Sequence, residues 1–516
     1  MRPTSPILKR QLLVLVLLLP LALAASRTEE TEAADSGNDF GIQQPRLNSL
    51  PNGFPFIDPS GAVETYTTDP SGRIDLTGPF FQNLGTNGRT CVTCHTPSDA
   101  WSISAAHARE RFYESRGKDP LFASIDGANC PNVSPRDASG HSLLINNGLI
   151  RISLPIPSNA QFTISVAHDP YGCAMVTDGT GQEVISVYRR PLPSTNLHFL
   201  SAVMVDSRET VTPLNDTHTF PGNLVTDLKH QALDATLGHA QASTPPTDHQ
   251  LTEIANFELG LYTAQQWDIS AQMLNAGGAQ GGPLELKGQD YFPGINDPLG
   301  GNPTKAPFNS AAFSIFAPWL NIETSSREFD RRDPDAARAA IAAGEEIFNT
   351  FPLTITAVSG LNDSAALGMP QAISGTCTTC HDSPNVGDHS LPVPLDIGTS
   401  HSAAYEHDPQ VANGLSQLDV PDLPVYEITG CPDPRDLSQT LTFYTSDPGR
   451  ALISGKCADM IRIKGPILRG LAARAPYFHN GAAANLEQVV NFYNNRFQMG
   501  LTDTEKAELV AFLRSL

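Results

Sequence analysis

The sequence predicts a mainly α-helical protein of two modules, the first carrying a β-rich insertion. Three observations predict it. Two five-residue stretches, CVTCH at 91–95 and CTTCH at 377–381, stand far apart in a chain of 516 residues, one for each module. Segments with apolar residues at helical spacing accompany both. Within the first module lies a series of β-branched, apolar runs cut by Pro, Gly and Asn.

Taken in order, residues 1–25 read as a secretory signal peptide. Arg2, Lys9 and Arg10 precede the apolar run LLVLVLLLPLALA, and Ala22-Leu23-Ala24 is a small-x-small cleavage site. That run is short for a membrane span, and no other stretch is long and apolar enough, so the expected location is periplasmic or secreted. Residues 26–75 form an N-terminal segment, acidic at first and then Pro/Gly/Asp-rich, expected to be disordered or extended. The first module spans 76–330. After CVTCH, WSISAAHARERFYESRG reads as a helix. LLINNGLIRISLPIP, AQFTISVAHDP, EVISVYRRPLP and HFLSAVMV then read as strands of an insertion over about 126–215. NLVTDLKHQALDATLGHAQ and DHQLTEIANFELGLYTAQQW return to helical character, and a Gly/Pro-rich connector closes the module. The second module, 331–516, opens on a helix with Pro334 near its start. It closes on LTDTEKAELVAFLRSL, where Thr502 and Glu505 form a capping-box pattern and Leu509, Leu513 and Leu516 share a face.

Cysteine arithmetic gives the chemistry. Four of the eight cysteines belong to the two matching stretches, Cys91, Cys94 and His95, and Cys377, Cys380 and His381. A zinc site would use the thiolates but gives neither histidine a reason to recur. A thioredoxin-like dithiol wants a βαβ setting, which neither copy has. Covalent heme accounts for every recurring residue: two thiols add to the porphyrin vinyl groups and the next histidine ligates iron. Two heme c groups, and hence two cytochrome c-like modules, are the expectation. The other four, Cys130, Cys173, Cys431 and Cys457, suit two disulfides in an oxidising compartment. Three pairings are open, and nearness in sequence favours Cys130–Cys173 and Cys431–Cys457.

A formal net charge of -21 argues against nucleic acid or an anionic membrane as partner and suits basic partners or plain solubility. In NLEQVVNFY, Leu486, Val489, Val490 and Tyr493 fall on one helix face, which aims Tyr493 at the core and the second heme. Met499 and His479 compete with it as the further iron ligand.

The stretch KGPILRGLAARAPYFHNGAAANLEQVVNFY, 464–493, resembles the C-terminal signature of the bacterial diheme cytochrome c peroxidases and the related MauG enzymes. With the two heme stretches, the likeness covers most of 76–516. It implies a heme-dependent oxidoreductase. Peroxide or dioxygen would react at the His95 heme, and the His381 heme would pass electrons to or from a small redox protein or a quinone-linked partner. At the position of Tyr493 the peroxidases typically place methionine and the MauG branch tyrosine. MVDSRE, 204–209, resembles the element that carries an inter-heme tryptophan, with Val205 in its place; Trp101 is the substitute relay. QALDATLGHAQ, 231–241, resembles the element that leads to a catalytic glutamate, and an ungapped reading puts Gln241 there. Glu253 and Glu258 are the alternatives if the register slips. His107 and His239 are further distal-side candidates. Arg469 and Arg474 suit heme propionates. Some relatives hold calcium between the hemes near the Pro-x-Leu-Arg element, but Lys464 stands close to that spot and calcium is not assigned. The missing glutamate and tryptophan keep two rivals open: a diheme rubber-oxygenase-like enzyme acting on a hydrophobic organic substrate, and a non-catalytic electron-transfer protein.

Overall fold

Strands and helices alternate along the chain according to where Gly, Asn and Pro stop them. The computed structural model describes residues 48–178, 180–210, 220–322, 333–402, 414–416 and 418–516, all within one compact unit, 47–516. The expected signal peptide, most of the acidic segment after it and the 330/331 module boundary lie outside the described residues.

From Ser49 to Asp75 the N-terminal segment forms four short strands. Strands β1 (Ser49–Pro51) and β4 (Arg73–Asp75) pair with each other, while β2 (Phe56–Asp58) and β3 (Gly61–Thr67) join a sheet of order β10-β9-β3-β2 with β9 (Leu261–Asp268) and β10 (Gln272–Met273). The helix expected after CVTCH is α1 (Ala105–Ser115), capped by Ser104, whose hydroxyl accepts from the His107 amide. In the next run, LLINN is helical rather than extended. It forms α2 (Ser142–Asn147), which Gly148 ends at φ 62°, a left-handed cap that glycine adopts at no steric cost. Strands β5 (Ile150–Pro155), β7 (Met175–Thr177) and β8 (Glu183–Arg189) form one antiparallel sheet. β6 (Thr163–His168) leaves that group and pairs with β13 (Val425–Asp433), itself paired with β14 (Asp436–Thr445). The β-rich section is therefore stitched to a hairpin of the C-terminal half, with Cys130–Cys173 and Cys431–Cys457 bonded as expected.

Two further expectations change. HFLSAVMV is a series of turns, because Asn196 (φ 62°) holds Thr263 through both main-chain groups, its Nδ2 donating to the carbonyl at 2.9 Å and its Oδ1 accepting from the amide at 2.8 Å. α3 (Phe220–Gly238) and α4 (Asp248–Leu259) are helices, but LYTAQQW is β9, since Gly260 ends α4 and the next residues are fully buried on both faces of the sheet. The Gly/Pro connector contains one short helix, α5 (Pro283–Lys287).

In the C-terminal half, α6 (Pro334–Thr350) has Pro334 at its first turn and Asp333 as cap. A small pair, β11 (Leu353–Ile355) and β12 (Ile373–Gly375), leads into CTTCH. After α7 (Ala451–Ser454), α8 (Leu486–Arg496) and α9 (Asp503–Arg514) complete the fold. Thr502 and Glu505 make the expected capping box, and Leu509, Leu513 and Leu516 are buried. α6 and α9 share a core with Phe313, Phe316, Trp319, Phe348 and Phe512. Their contact is close at Gly344, where an added Cβ would lie 2.0 Å from the Glu508 carbonyl oxygen.

That contact makes a prediction with a defined sign. Helix propensity alone would make Gly344→Ala stabilising by up to about 1 kcal/mol, whereas overpacking typically costs about 1–3 kcal/mol. The variant is expected to unfold at lower denaturant concentration; an unchanged or raised midpoint would show that α6 and α9 do not meet this closely.

Candidate functional site

The two CxxCH stretches fold alike because their threonines match as well as their cysteines. In each, a threonine precedes the first cysteine and another precedes the second, so the reading frame is Thr-Cys-x-Thr-Cys-His. The Thr90 amide donates to Thr93 Oγ1 at 3.0 Å, and the Thr376 amide to Thr379 Oγ1 at 2.9 Å. Each makes one 3₁₀ turn, and the amides of His95 and His381 each donate to the carbonyl of the first cysteine at 3.1 Å. This closes the turn and brings both sulfurs and the imidazole to one side of a cavity.

Each histidine is held by a backbone carbonyl. His95 Nδ1 donates to the Trp101 carbonyl at 3.1 Å, and His381 Nδ1 to the Gly387 carbonyl at 2.6 Å. A carbonyl can only accept, so the ring hydrogen sits on Nδ1 and the Nε2 lone pair is left to ligate. Burial keeps both rings neutral: it drives the His95 pKa down to about 4 and lowers that of His381. Burial also raises the thiols, Cys94 to about 11 and Cys377 and Cys380 to about 12. Trp101 is fully buried behind His95 among Phe80, Phe81 and Phe257, with its indole donating to Thr65 Oγ1. It lines neither cavity.

The first cavity, with about 1320 Å³ free of protein atoms and part of it open to solvent, holds Cys91, Cys94 and His95. Its apolar wall includes Leu197, Leu200, Val203, Leu228 and Ile254. Gln241 does not reach it. The chain turns at Gln241 (φ 54°), whose carbonyl accepts from Thr86 Oγ1 at 2.8 Å, which keeps its side chain on the surface. His239 does line the cavity, with Nδ1 donating to the buried carboxylate of Asp126, which also pairs with Arg89. Glu258, in the last turn of α4, lines it too and is 4% exposed. Burial pushes its pKa up to about 8 against a lowering hydrogen bond with Ser194. Glu253 is half exposed beside His249. Sequence reasoning offered Glu253 and Glu258 equally; burial separates them. Met204 and Gln231 also line this cavity, and the Met204 thioether was not anticipated. His107 lines neither cavity: its Nδ1 bonds Asp99 Oδ2 at 2.8 Å, which raises its pKa.

The second cavity, about 1940 Å³ free of protein atoms and likewise part open, holds Cys377, Cys380 and His381. Leu486, Val489, Val490 and Tyr493 of α8 all line it, the face read from their spacing, together with Met499 and His479. Tyr493 stacks on Phe497 with ring centroids 6.2 Å apart, and burial raises its pKa above the ordinary range. His479 is tied back by Ser400 Oγ at 3.1 Å. Arg474 lines this cavity and Arg469 is buried outside the lining; Arg474 Nε and Arg469 Nε and Nη2 have no hydrogen-bond partner. Buried guanidinium hydrogens of this kind suit carboxylates.

Val205 and Arg190-Pro191-Leu192-Pro193 line both cavities and so form a common wall. On one side of this wall Arg189 is paired with Asp206 and, bidentately, with Asp447 at 2.6 and 2.9 Å. No helix among the described residues is long and apolar enough to cross a membrane.

No protein-family profile matches the chain. The cytochrome-c peroxidase IdrP2 of Denitromonas iodatirespirans is 33% identical over 149 residues, 28% of this chain and 36% of that protein. IdrP1 and IdrP2 of Pseudomonas sp. (strain SCT), also cytochrome-c peroxidases, are 25% and 31% identical over 159 and 147 residues, each 27% of this chain and 36% and 35% of those proteins. The chain thus matches little more than a third of the length of these curated relatives. A solved MauG-like protein associated with microbial copper homeostasis is 15% identical, with 67% of this chain and 79% of that one covered and a TM-score of 0.26. Over little more than a quarter of its length, the chain is thus similar at low identity to curated cytochrome-c peroxidases.

Proposed function

We propose that the protein is an exported diheme c-type oxidoreductase that meets peroxide or dioxygen at the first cavity and passes electrons through the second. One observation carries the reading: each CxxCH stretch has its own cavity and its own carbonyl-held histidine. The residues fit the group. Each cavity offers two sulfurs for thioether bonds and one imidazole with Nε2 free to ligate, and the unpartnered Nε hydrogen of Arg474 in the second lining suits a propionate. Heme c, once attached, supplies an iron that binds the oxidant and a macrocycle that carries electrons.

The chain's own groups supply the proton chemistry. Glu258 holds a proton on its carboxyl at neutral pH and is the donor for the departing oxygen of a peroxide. His239 has its Nδ1 hydrogen fixed by Asp126, which leaves Nε2 to take a proton from the incoming oxidant. A small redox protein or a quinone-linked donor would supply electrons by way of the second cavity. There Tyr493, Met499 and His479 are at hand as further ligands, and Tyr493 is our choice because it lies on the helix face that forms the cavity wall. A second reading, dioxygen chemistry on an apolar organic substrate, draws on the Leu197, Leu200, Val203, Leu228 and Ile254 wall.

Three outcomes test this reading. Covalent heme, measured as the pyridine hemochrome, is expected to halve in the Cys377→Ala/Cys380→Ala double variant; an unchanged content would remove the second attachment site. Glu258→Gln should lower kcat/KM for peroxide reduction by about 10²–10⁴-fold, the usual worth of a positioned acid or base. Because the folded pKa of Glu258 is raised to about 8, wild-type activity should fall as pH rises through that value, and the variant should lack the inflection. A variant that keeps both rate and pH profile would acquit Glu258. Tyr493→Phe should keep its heme and alter the spectrum of the second heme; an identical spectrum would hand the ligand role to Met499 or His479.

A further inference from the structure

We infer that the buried cluster of Asp297, Asp382 and His389 binds a divalent first-row transition metal ion, separate from heme iron. One donor atom from each of the three lies within 4.8 Å of the others, and all three residues are at most 3% exposed. Metal–ligand bonds of about 2.0–2.2 Å place neighbouring donors roughly 3–4 Å apart, so small side-chain shifts close the site.

The second observation is an orphan. Asp297 Oδ1 is buried and has no hydrogen-bond partner, although its other oxygen accepts from the Gly301 amide at 2.5 Å. A buried carboxylate oxygen with nothing to bond is costly and usually marks a missing ion or water. Asp382 is already fixed in place. Its Oδ1 accepts from the Ser390 amide at 2.8 Å and from His389 Nδ1 at 3.0 Å, and its Oδ2 from the Ser390 hydroxyl at 2.7 Å. Two buried carboxylates thus converge with one buried imidazole. The comparable group Glu209, His230 and Asp234 is largely exposed and has no such enclosure.

The donor set selects the ion. Calcium and magnesium prefer all-oxygen shells, whereas an imidazole beside two carboxylates suits Mn²⁺, Fe²⁺ or Zn²⁺. The positions say what the ion would do. Asp297 belongs to the Gly/Pro connector, Asp382 directly follows His381, and His389 lines the second cavity. Metal binding would pin the connector to the loop that carries the second CxxCH stretch.

The test uses the full-length holoprotein, stripped with chelator and titrated with Mn²⁺. Bound metal is read as loss of the free-ion EPR signal and as manganese per chain by elemental analysis. One Mn²⁺ per chain is expected, displaced by Zn²⁺ and not by Ca²⁺. Asp297→Asn and His389→Gln should each weaken binding at least tenfold with heme content as in wild type. Heme content is measured separately, so failure of the diheme reading is distinguishable from failure of this site. Absence of Mn²⁺ and Zn²⁺ binding to the wild-type holoprotein would overturn the proposal, as would equal competition by Ca²⁺ or unchanged binding by Asp297→Asn. Should either variant fail to fold, the wild-type titration with its Ca²⁺ competition decides.

Discussion

The two cavities depend on one buried ion cluster. Arg189 ends β8, and the four residues after it form most of the wall between the cavities. Its guanidinium reaches Asp206, which follows the wall residue Val205, and Asp447 of the C-terminal half. All three side chains are at most 2% exposed. Burial by itself would raise the pKa of Asp206, but Arg189 and Arg208 overcome it and hold the carboxyl at about 2. Such a cluster is poor evidence for net stability, since two carboxylates and a guanidinium give up their hydration to form it. What it supplies is registry. Removing one member would strand a buried charge at a cost of about 3–5 kcal/mol, so competing placements of the wall are penalised by that much. Arg190 adds to this, donating to the carbonyls of Ile103 and Arg474 at 2.7 and 2.8 Å, one from each half of the chain.

Around that wall, identical local motifs sit in different company. The Thr-Cys-x-Thr-Cys-His turns match to a tenth of an ångström in the bond from the first threonine amide to the second threonine hydroxyl, and both histidines lean on carbonyls. The difference lies in the rest of each lining. The first cavity is met by His239 on Asp126 and by Glu258, groups that hold and move protons. In the second, the α8 face contributes Leu486, Val489, Val490 and Tyr493, none of which titrates at neutral pH unless a metal draws the phenol's proton away. The second lining also carries Lys464, His389 and His479 beside this apolar face.

What could be read in the sequence was what local spacing determines. The two CxxCH turns, the capping box at Thr502, the lining face of α8 and the disulfide pairs all follow from residues near one another in the chain. The doubled threonine is legible there as well. Long-range register was not legible. Gln241 and Glu258 are equally plausible in one dimension, and only the positive-φ turn at Gln241 and the burial of the α4 C-terminus tell them apart. HFLSAVMV has the composition of a strand, yet a single asparagine at its start bonds β9 and folds it into turns. The pairing of β6 with β13 joins residues about half the chain apart, and no local pattern specifies such a partner.

The wall also bears on how the cavities communicate. Val205, at the position where the resemblance leads one to expect tryptophan, is in the wall, and Trp101 lies behind His95 in an aromatic cluster instead. The wall itself thus offers no aromatic stepping stone among its shared residues. A bonded route replaces it. The Trp101 carbonyl that holds His95 Nδ1 is followed directly by Ser102, whose hydroxyl donates to the Pro191 carbonyl of the wall at 2.7 Å and which itself lines the second cavity. On the far side the Lys464 amide, also at the second cavity, donates to the Val205 carbonyl at 2.7 Å. Hydrogen bonds and covalent bonds therefore run from His95 of the first cavity to the lining of the second. The Arg189 cluster lies beside that backbone and fixes its placement.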